Sequence, residues 1–248
     1  MQTIIKIFIF FSITFIMVSA IQAQNNVAKL NLAGIAVGQI DLQYERVTAP
    51  KQSVHFTAGY MPGVEYASRL QAMITEAVPN EKIDISTASL SGFQFVPEYR
   101  FYTGAAALRG FYVAPQLCFS SYKLKAVGSN NNFFTNKATV DYTSLGAGAQ
   151  IGLQWLIKDR VSIDWQIIGI GVSSVTANAV GEPSYLYYYG NVDGLDDWAK
   201  SANSYMQKDA RLALVKFMDI KRDDKTLIGK GATISPYFRT GLAVGFSF

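Results

Sequence analysis

Along most of the chain, hydrophobic and polar positions alternate with a period of two, the pattern of β-strands that are apolar on one face and polar on the other. The pattern is cleanest at residues 233–248. There Pro236, Phe238, Thr240, Leu242, Val244, Phe246 and Phe248 fall on one side, and Ser235, Arg239, Gly241, Ala243, Gly245 and Ser247 on the other. The same alternation predicts seven further strands, at about residues 27–36, 39–47, 53–61, 86–102, 110–123, 139–157 and 160–175. Gly38 offers a tight turn between the first two, because glycine accepts positive φ. Residues 62–84 and 126–136 read as long loops, the former with a helical turn or two around Tyr66 to Ala77. Residues 176–232 read as the longest connection, with a helix expected between Leu195 and Met218 behind Asp193 as N-cap. In the strand at 160–175 the alternation blurs after Ile168.

The charged residues fall on the face opposite the large apolar ones. Asp41 and Glu45 lie opposite Leu42 and Tyr44, Glu98 and Arg100 opposite Tyr99 and Phe101, Asp164 opposite Trp165, and Arg239 opposite Phe238. Such an inversion makes sense if the sheet closes around a polar interior and turns its apolar face to lipid. The expected fold is therefore all-β, an eight-stranded antiparallel up-and-down transmembrane β-barrel with long external loops, the last containing a helix. Eight is even, as transmembrane barrels of this kind require, and three of the four connections at one end are long, the tight turn at Gly38 being the exception, while those at the other end are all short. Eight strands leave an interior that side chains fill, so Asp41, Glu45, Glu98, Arg100, Asp164 and Arg239 are expected to form an interior polar cluster, a plug rather than a channel. They must pair, because an isolated buried charge costs several kcal/mol.

The N-terminus carries Lys6, an apolar run from Ile7 to Val18, then small residues at Ala20 and Ala23, the three parts of a secretory signal. The run falls short of the roughly 20 residues a spanning helix needs. A signal peptide at 1–23, cleaved after Ala23, and export to the outer membrane are expected, without a lipid anchor, since no cysteine follows the site.

Composition narrows the picture. Charged residues make up 16% of the chain and apolar residues 50%, whereas an ordinary soluble domain carries roughly 25% charged residues. The net charge of +4 is not gathered into the basic stripe that nucleic acid requires. Cys118 is the sole cysteine, which excludes an intramolecular disulfide and any metal site built on paired cysteines.

Lys29-Leu30-Asn31-Leu32, Tyr44-Glu45-Arg46, Pro97-Glu98-Tyr99-Arg100-Phe101-Tyr102 and Gly241 to Phe248 resemble the small barrels of the OmpA and OmpX type, and more closely an uncharacterised outer-membrane β-barrel family common in Bacteroidetes. The resemblance covers nearly all of the chain after the signal and implies a fold and a location, not a reaction. It also implies that Phe246 and Phe248 serve as the aromatic signal read by the barrel assembly machinery.

Candidate chemistry is sparse. His55 is the single histidine, with Ser53 or Glu45 as neighbours across the hairpin, a set a lipid hydrolase could use, but such a set arises easily by chance among so many polar inward residues and a simple interior hydrogen bond is the favoured reading. Tyr185 to Tyr189 suit an interfacial aromatic belt or a stacking surface. Lys200, Lys208, Arg211, Lys216, Lys221, Arg222, Lys225 and Lys230 could meet lipopolysaccharide phosphates, diluted by Asp196, Asp197, Asp209, Asp219, Asp223 and Asp224. No phosphate loop, paired-carboxylate motif or metal spacing is present, and no cofactor is expected. The expectation is a monomeric, non-enzymatic outer-membrane protein with a structural or surface-binding role. Its expected partners are outer-membrane lipids, lipopolysaccharide and the assembly machinery. The alternatives are a lipid-modifying hydrolase and a secreted soluble ligand-binding barrel.

Overall fold

The computed structural model describes residues 25–77, 83–130, 134–183, 200, 218–223 and 226–248. The expected signal peptide, Tyr185 to Tyr189 and nearly all of the helix expected between Leu195 and Met218 lie outside the described residues. The elements run in the order β1 (Asn26–Asn31), α1 (Leu32–Ala36), β2 (Ile40–Ala49), β3 (Gln52–Glu65), α2 (Ala67–Ala77), β4 (Ile83–Tyr102), β5 (Gly110–Asn130), β6 (Phe134–Ile157), β7 (Val161–Pro183), β8 (Met218–Asp223) and β9 (Thr226–Ser247).

Each strand from β1 to β6 pairs antiparallel with the next, and β7 pairs with β9. β9 returns to β1 from Val27↔Ser247 to Asn31↔Ala243, which closes a ring of eight antiparallel strands. At that closure Asn26 and Phe248 exchange both backbone hydrogen bonds, at 3.1 and 2.9 Å. The remaining strand, β8, pairs antiparallel with β9 from Asp223↔Thr226 to Met218↔Gly231.

Within the ring the faces are those the alternation predicts. His55, Thr57, Gln150, Gln154, Ser162, Asp164 and Gln166 are fully buried, while Phe56, Tyr60, Leu145, Trp155, Trp165 and Phe246 are exposed.

Several boundaries are corrected. The first strand, expected to reach Ala36, stops at Asn31, whose side chain accepts the Ala33 N–H at 3.1 Å and caps α1. Asparagine favours that local bond over continuing a ladder. The chain then turns at Gly38, with φ of 81°, as expected of a glycine there. Residues 176–232 are not one connection: 176–183 extend β7, Met218–Asp223 form β8, and 226–232 belong to β9. β3, β4, β5 and β6 likewise run past their expected ends, to Glu65, back to Ile83, to Asn130 and back to Phe134.

The cause is an exchange of faces at the end of the ring that carries the long connections. There Lys123, Lys125, Thr176, Asn178 and Lys230 are exposed, while Ala88, Val175, Ala177 and Leu227 are buried. A pattern read as apolar outward vanishes where the apolar side chains turn inward. The blur after Ile168 has a different origin. The register jumps from Gln166↔Gly241 to Gly169↔Arg239, so a bulge moves the inward positions from Asp164 and Gln166 to Gly169, Gly171 and Ser173.

The helical turns expected near Tyr66 are α2, which packs on β4. Glu65 fastens its start: Oε1 accepts the Ala88 and Ala67 N–H groups, each at 2.9 Å. Those two amides, Ala88 foremost, hold its carboxyl below the usual carboxylate range. A lowered folded pKa means the link is intact above the ordinary carboxylate value and is lost as pH falls through the folded one. The protection factors of the Ala67 and Ala88 amides, measured against the intrinsic exchange rate at each pH, should therefore hold down to mildly acidic pH and fall below it. In Glu65→Ala both amides should exchange fast throughout; equal protection in the variant would refute the link.

Candidate functional site

The inward faces of β2, β4 and β7 bring four of the six expected interior residues, Glu45, Glu98, Arg100 and Asp164, together near the short-turn end. Arg100 lies at the centre. Its Nη1 donates to Asp164 Oδ2 at 2.6 Å and Glu45 Oε2 at 3.3 Å, and its Nε and Nη2 donate to Glu98 Oε2 at 3.1 and 3.0 Å. Its guanidinium also stands over the Tyr112 ring, 4.3 Å from the centroid. The planar fork of arginine suits three acceptors at once, where a lysine would reach as a single point charge.

Arg239 joins from β9, donating to Glu98 Oε1 at 2.5 Å, Gln116 Oε1 at 3.2 Å and Thr57 Oγ1 at 3.0 Å. Asp41 does not join. It sits in a separate group, where Gln39, Asn31 and Gln94 donate to it at 2.6, 3.0 and 3.2 Å.

Sequence reasoning passed over Lys29, which donates to Glu45 and Asp164, each at 2.6 Å. Its signal was available: Val27, Lys29 and Asn31 alternate, and all three are buried. Tyr102 was missed too. Its hydroxyl stands 2.5 Å from Glu45 Oε1 and 2.6 Å from Gln154 Oε1. Tyr112 donates to Asp164 Oδ1 at 2.9 Å, and its ring fills the space left by Gly152, where an added Cβ would come within 2.3 Å of the hydroxyl.

Three cations, Lys29, Arg100 and Arg239, thus face three carboxylates, Glu45, Glu98 and Asp164. Side chains of Lys29, Glu45, Glu98, Arg100 and Asp164 have no exposure at all. Burying ions is tolerable when charges balance and each carboxylate oxygen finds a donor, as here.

The set of His55, Ser53 and Glu45 does not have the geometry of a nucleophile and its base. Ser53 donates to Glu45 at 2.5 Å, while the His55 nitrogens face Glu98 at 3.3 Å and Gln43 at 3.4 Å. All three side chains are fully buried, so no substrate carbonyl can approach. Among the described residues, no group of three His, Cys, Asp or Glu side chains could hold a metal ion.

Phe246 and Phe248 lie at the end of β9, where Phe246 is exposed on the outer face and the backbone of Phe248 closes the ring on Asn26. Of the loop cations, Lys221 pairs with Asp219 at 2.8 Å and Lys230 is exposed on β9. Lys208, Arg211, Lys216 and Lys225 lie outside the described residues.

A family described as "Protein of unknown function (DUF3575)" matches residues 7–180, more than half of the chain, and the chain belongs to that family. No curated protein and no solved structure matches it.

Proposed function

We propose that this member of the DUF3575 family is an outer-membrane β-barrel protein that crosses the bilayer with eight strands and acts without catalysing a reaction, through the surface it presents beyond the membrane. The observation that carries the reading is the inside-out distribution of side chains. The interior holds a balanced network of six charges, five of them without any exposure, and the outer face carries Leu42, Phe56, Phe95, Leu117, Leu145, Ile170, Val172 and Leu242, all exposed. Scattered exposed apolar residues are ordinary, but soluble monomers rarely expose a continuous apolar surface beyond a few hundred Å².

The height of the belt agrees. On β6 it runs from Leu145 to Trp155. Ten residues at about 3.4 Å each, tilted by about 40°, rise about 26 Å, close to the roughly 25 Å apolar band of such barrels. Aromatic residues mark both rims: Phe93 and Phe119, 5.6 Å apart, at one, and Tyr99 and Phe101, 5.1 Å apart, with Trp155 and Trp165 at the other. Beyond the Phe93 rim the outer face turns polar, with Lys123 bonded to Asp141 at 3.0 Å, as a surface in water requires.

Partners on this reading are bilayer lipids, lipopolysaccharide phosphates near exposed Lys123, Lys125, Lys137 and Lys230, and the assembly machinery, which would read Phe246 and Phe248. The protein acts as a monomer, and its role is structural or surface-binding. Fractionation tests the reading: the protein should sediment with outer membranes, need detergent for release, and migrate faster on a gel unheated than boiled. Phe248→Ala should lower the yield of that heat-modifiable form several-fold. Recovery in a detergent-free soluble fraction would overturn the membrane reading; an unchanged yield would overturn the role given to Phe248.

A further inference from the structure

We propose that the outer wall of the ring seats one anionic phospholipid of the leaflet at the short-turn end, with an acyl chain along a groove beside Pro97 and Pro115 and its phosphate held by Arg46 and Lys51. This rests on the membrane reading, because such a ligand would come from the bilayer.

Two prolines make the groove. Pro97 on β4 and Pro115 on β5 flank the Glu98↔Gln116 pair, the one position at which these strands pair between Phe95↔Phe119 and Phe101↔Val113. Proline gives a ladder no N–H and is ordinarily confined to sheet edges and bulges, yet here two neighbouring strands of the closed ring carry it. Beside the larger side chains around them, these short rings leave a recess of about 410 Å³. Val54, Pro97, Tyr99, Pro115, Leu117 and Ala147 line it on the outer face, and Glu98 and Gln116, whose own side chains are buried, form its floor. Tyr99 belongs to the aromatic rim at the short-turn end, and Leu117 pairs with Ala147, two positions from the Leu145 limit of the belt. The recess therefore runs from that rim past the middle of the belt. Its size falls within the roughly 300 to 1,000 Å³ of ligand pockets, and its position against hydrocarbon suits an acyl chain.

At the rim the groove meets charge. Arg46 pairs with Val54, and Val54 pairs with Tyr99, so the three stand side by side. The turn that carries Lys51 is pinned, since the Lys51 carbonyl accepts the Tyr102 N–H at 2.9 Å and the Pro50 carbonyl accepts the Ala107 N–H at 2.7 Å. The Tyr99 hydroxyl donates to Gln52, next to Lys51, at 2.7 Å, and Gln52 pairs with Phe101 of the same rim. Arg46 and Lys51 are both exposed. Exposed Arg109, Lys123 and Lys221 each pair with an aspartate, but Arg46 and Lys51 have no carboxylate partner among the described residues. Lys158 and Arg160 add to the positive charge of this end, where Asp159 is the one exposed carboxylate side chain among the described residues.

These features set the headgroup. A phosphodiester lies where acyl chains give way to water, the level of the aromatic rim. There its oxygens meet an ammonium and the donor fork of an arginine. Choline or ethanolamine would bring a cation of its own, which offsets the phosphate and repels Arg46 and Lys51. A second copy of the chain fits less well, because in the same membrane orientation it would set its own Arg46 and Lys51 at the height of these.

The test uses the full chain in phosphatidylcholine nanodiscs with a trace of phosphatidylglycerol carrying a diazirine in one chain. Cross-links should be saturable, map to Pro97, Tyr99, Pro115, Leu117 and Ala147, and be competed about tenfold better by phosphatidylglycerol than by added phosphatidylcholine. Arg46→Gln combined with Lys51→Gln should remove that preference, with the heat-modifiable form unchanged. Ala147→Phe, which fills the groove, should remove the cross-links at Pro97 and Pro115. Cross-links spread evenly round the belt, Val244 and Phe246 included, would overturn the seat while leaving the membrane reading standing. Equal competition by phosphatidylcholine would overturn the anionic head. A groove labelled in discs holding one copy but not in discs holding two would give it to a second copy instead, and failure to enter nanodiscs would overturn both readings.

Discussion

Replacing Arg100 with alanine is expected to lower the unfolding free energy by about 3 to 5 kcal/mol, the cost of removing one partner from a buried ion network. The size follows from what is left behind. Arg100 satisfies oxygens of Glu45, Glu98 and Asp164. Without it, three buried carboxylates face only Lys29 and Arg239 among the cations of the network. Arg100→Lys should recover part of the loss, since one ammonium restores the charge but not the fork that reaches Glu98 through two nitrogens. Arg100→Met combined with Asp164→Asn should recover more than the sum of the single changes predicts, because the pair shares one interaction. Urea-dependent refolding into lipid vesicles, followed by gel mobility, measures each difference. A loss below about 1 kcal/mol for Arg100→Ala would place the network in the range of solvated surface pairs and refute a sealed interior.

That network was half legible in the sequence. Period-two alternation assigns a face to every residue of a regular strand, so the inward placing of Glu45, Glu98, Arg100 and Asp164 could be read one strand at a time. What alternation cannot give is which inward residues meet across the ring. Lys29 and Asp164 are bonded although 135 positions apart, and Asp41, on the same strand and face as Glu45, belongs to a different group. The strand ends were lost for local reasons. Asn31 keeps the alternation going on paper but uses its side chain to start α1. Beyond Ile168 a bulge shifts the phase by one, and beyond Ser174 on β7 the faces exchange polarity, which a search for apolar outward residues reads as the end of the strand.

The exchange of faces yields the sharpest test of where the bilayer would lie. Ile170 and Thr176 lie on the same strand and the same outer face, and both are exposed. Ile170 pairs with Ala149, midway between the Leu145 and Trp155 limits of the belt, whereas Thr176 pairs with Thr143, beyond it. Ile170→Arg should therefore cost about 2 to 4 kcal/mol in lipid, the penalty for arginine near the midplane of a transmembrane barrel. At Thr176 the arginine side chain can reach water, and surface substitutions of that kind stay within about 0.5 kcal/mol. Neither site contacts the interior network, so solvent is the variable that differs between them, and in a short-chain detergent that admits water the two costs should converge. Refolding titrations of both variants in lipid vesicles and in detergent separate the terms. Equal costs in lipid, or a larger one at Thr176, would mean that the apolar belt is covered by something other than hydrocarbon.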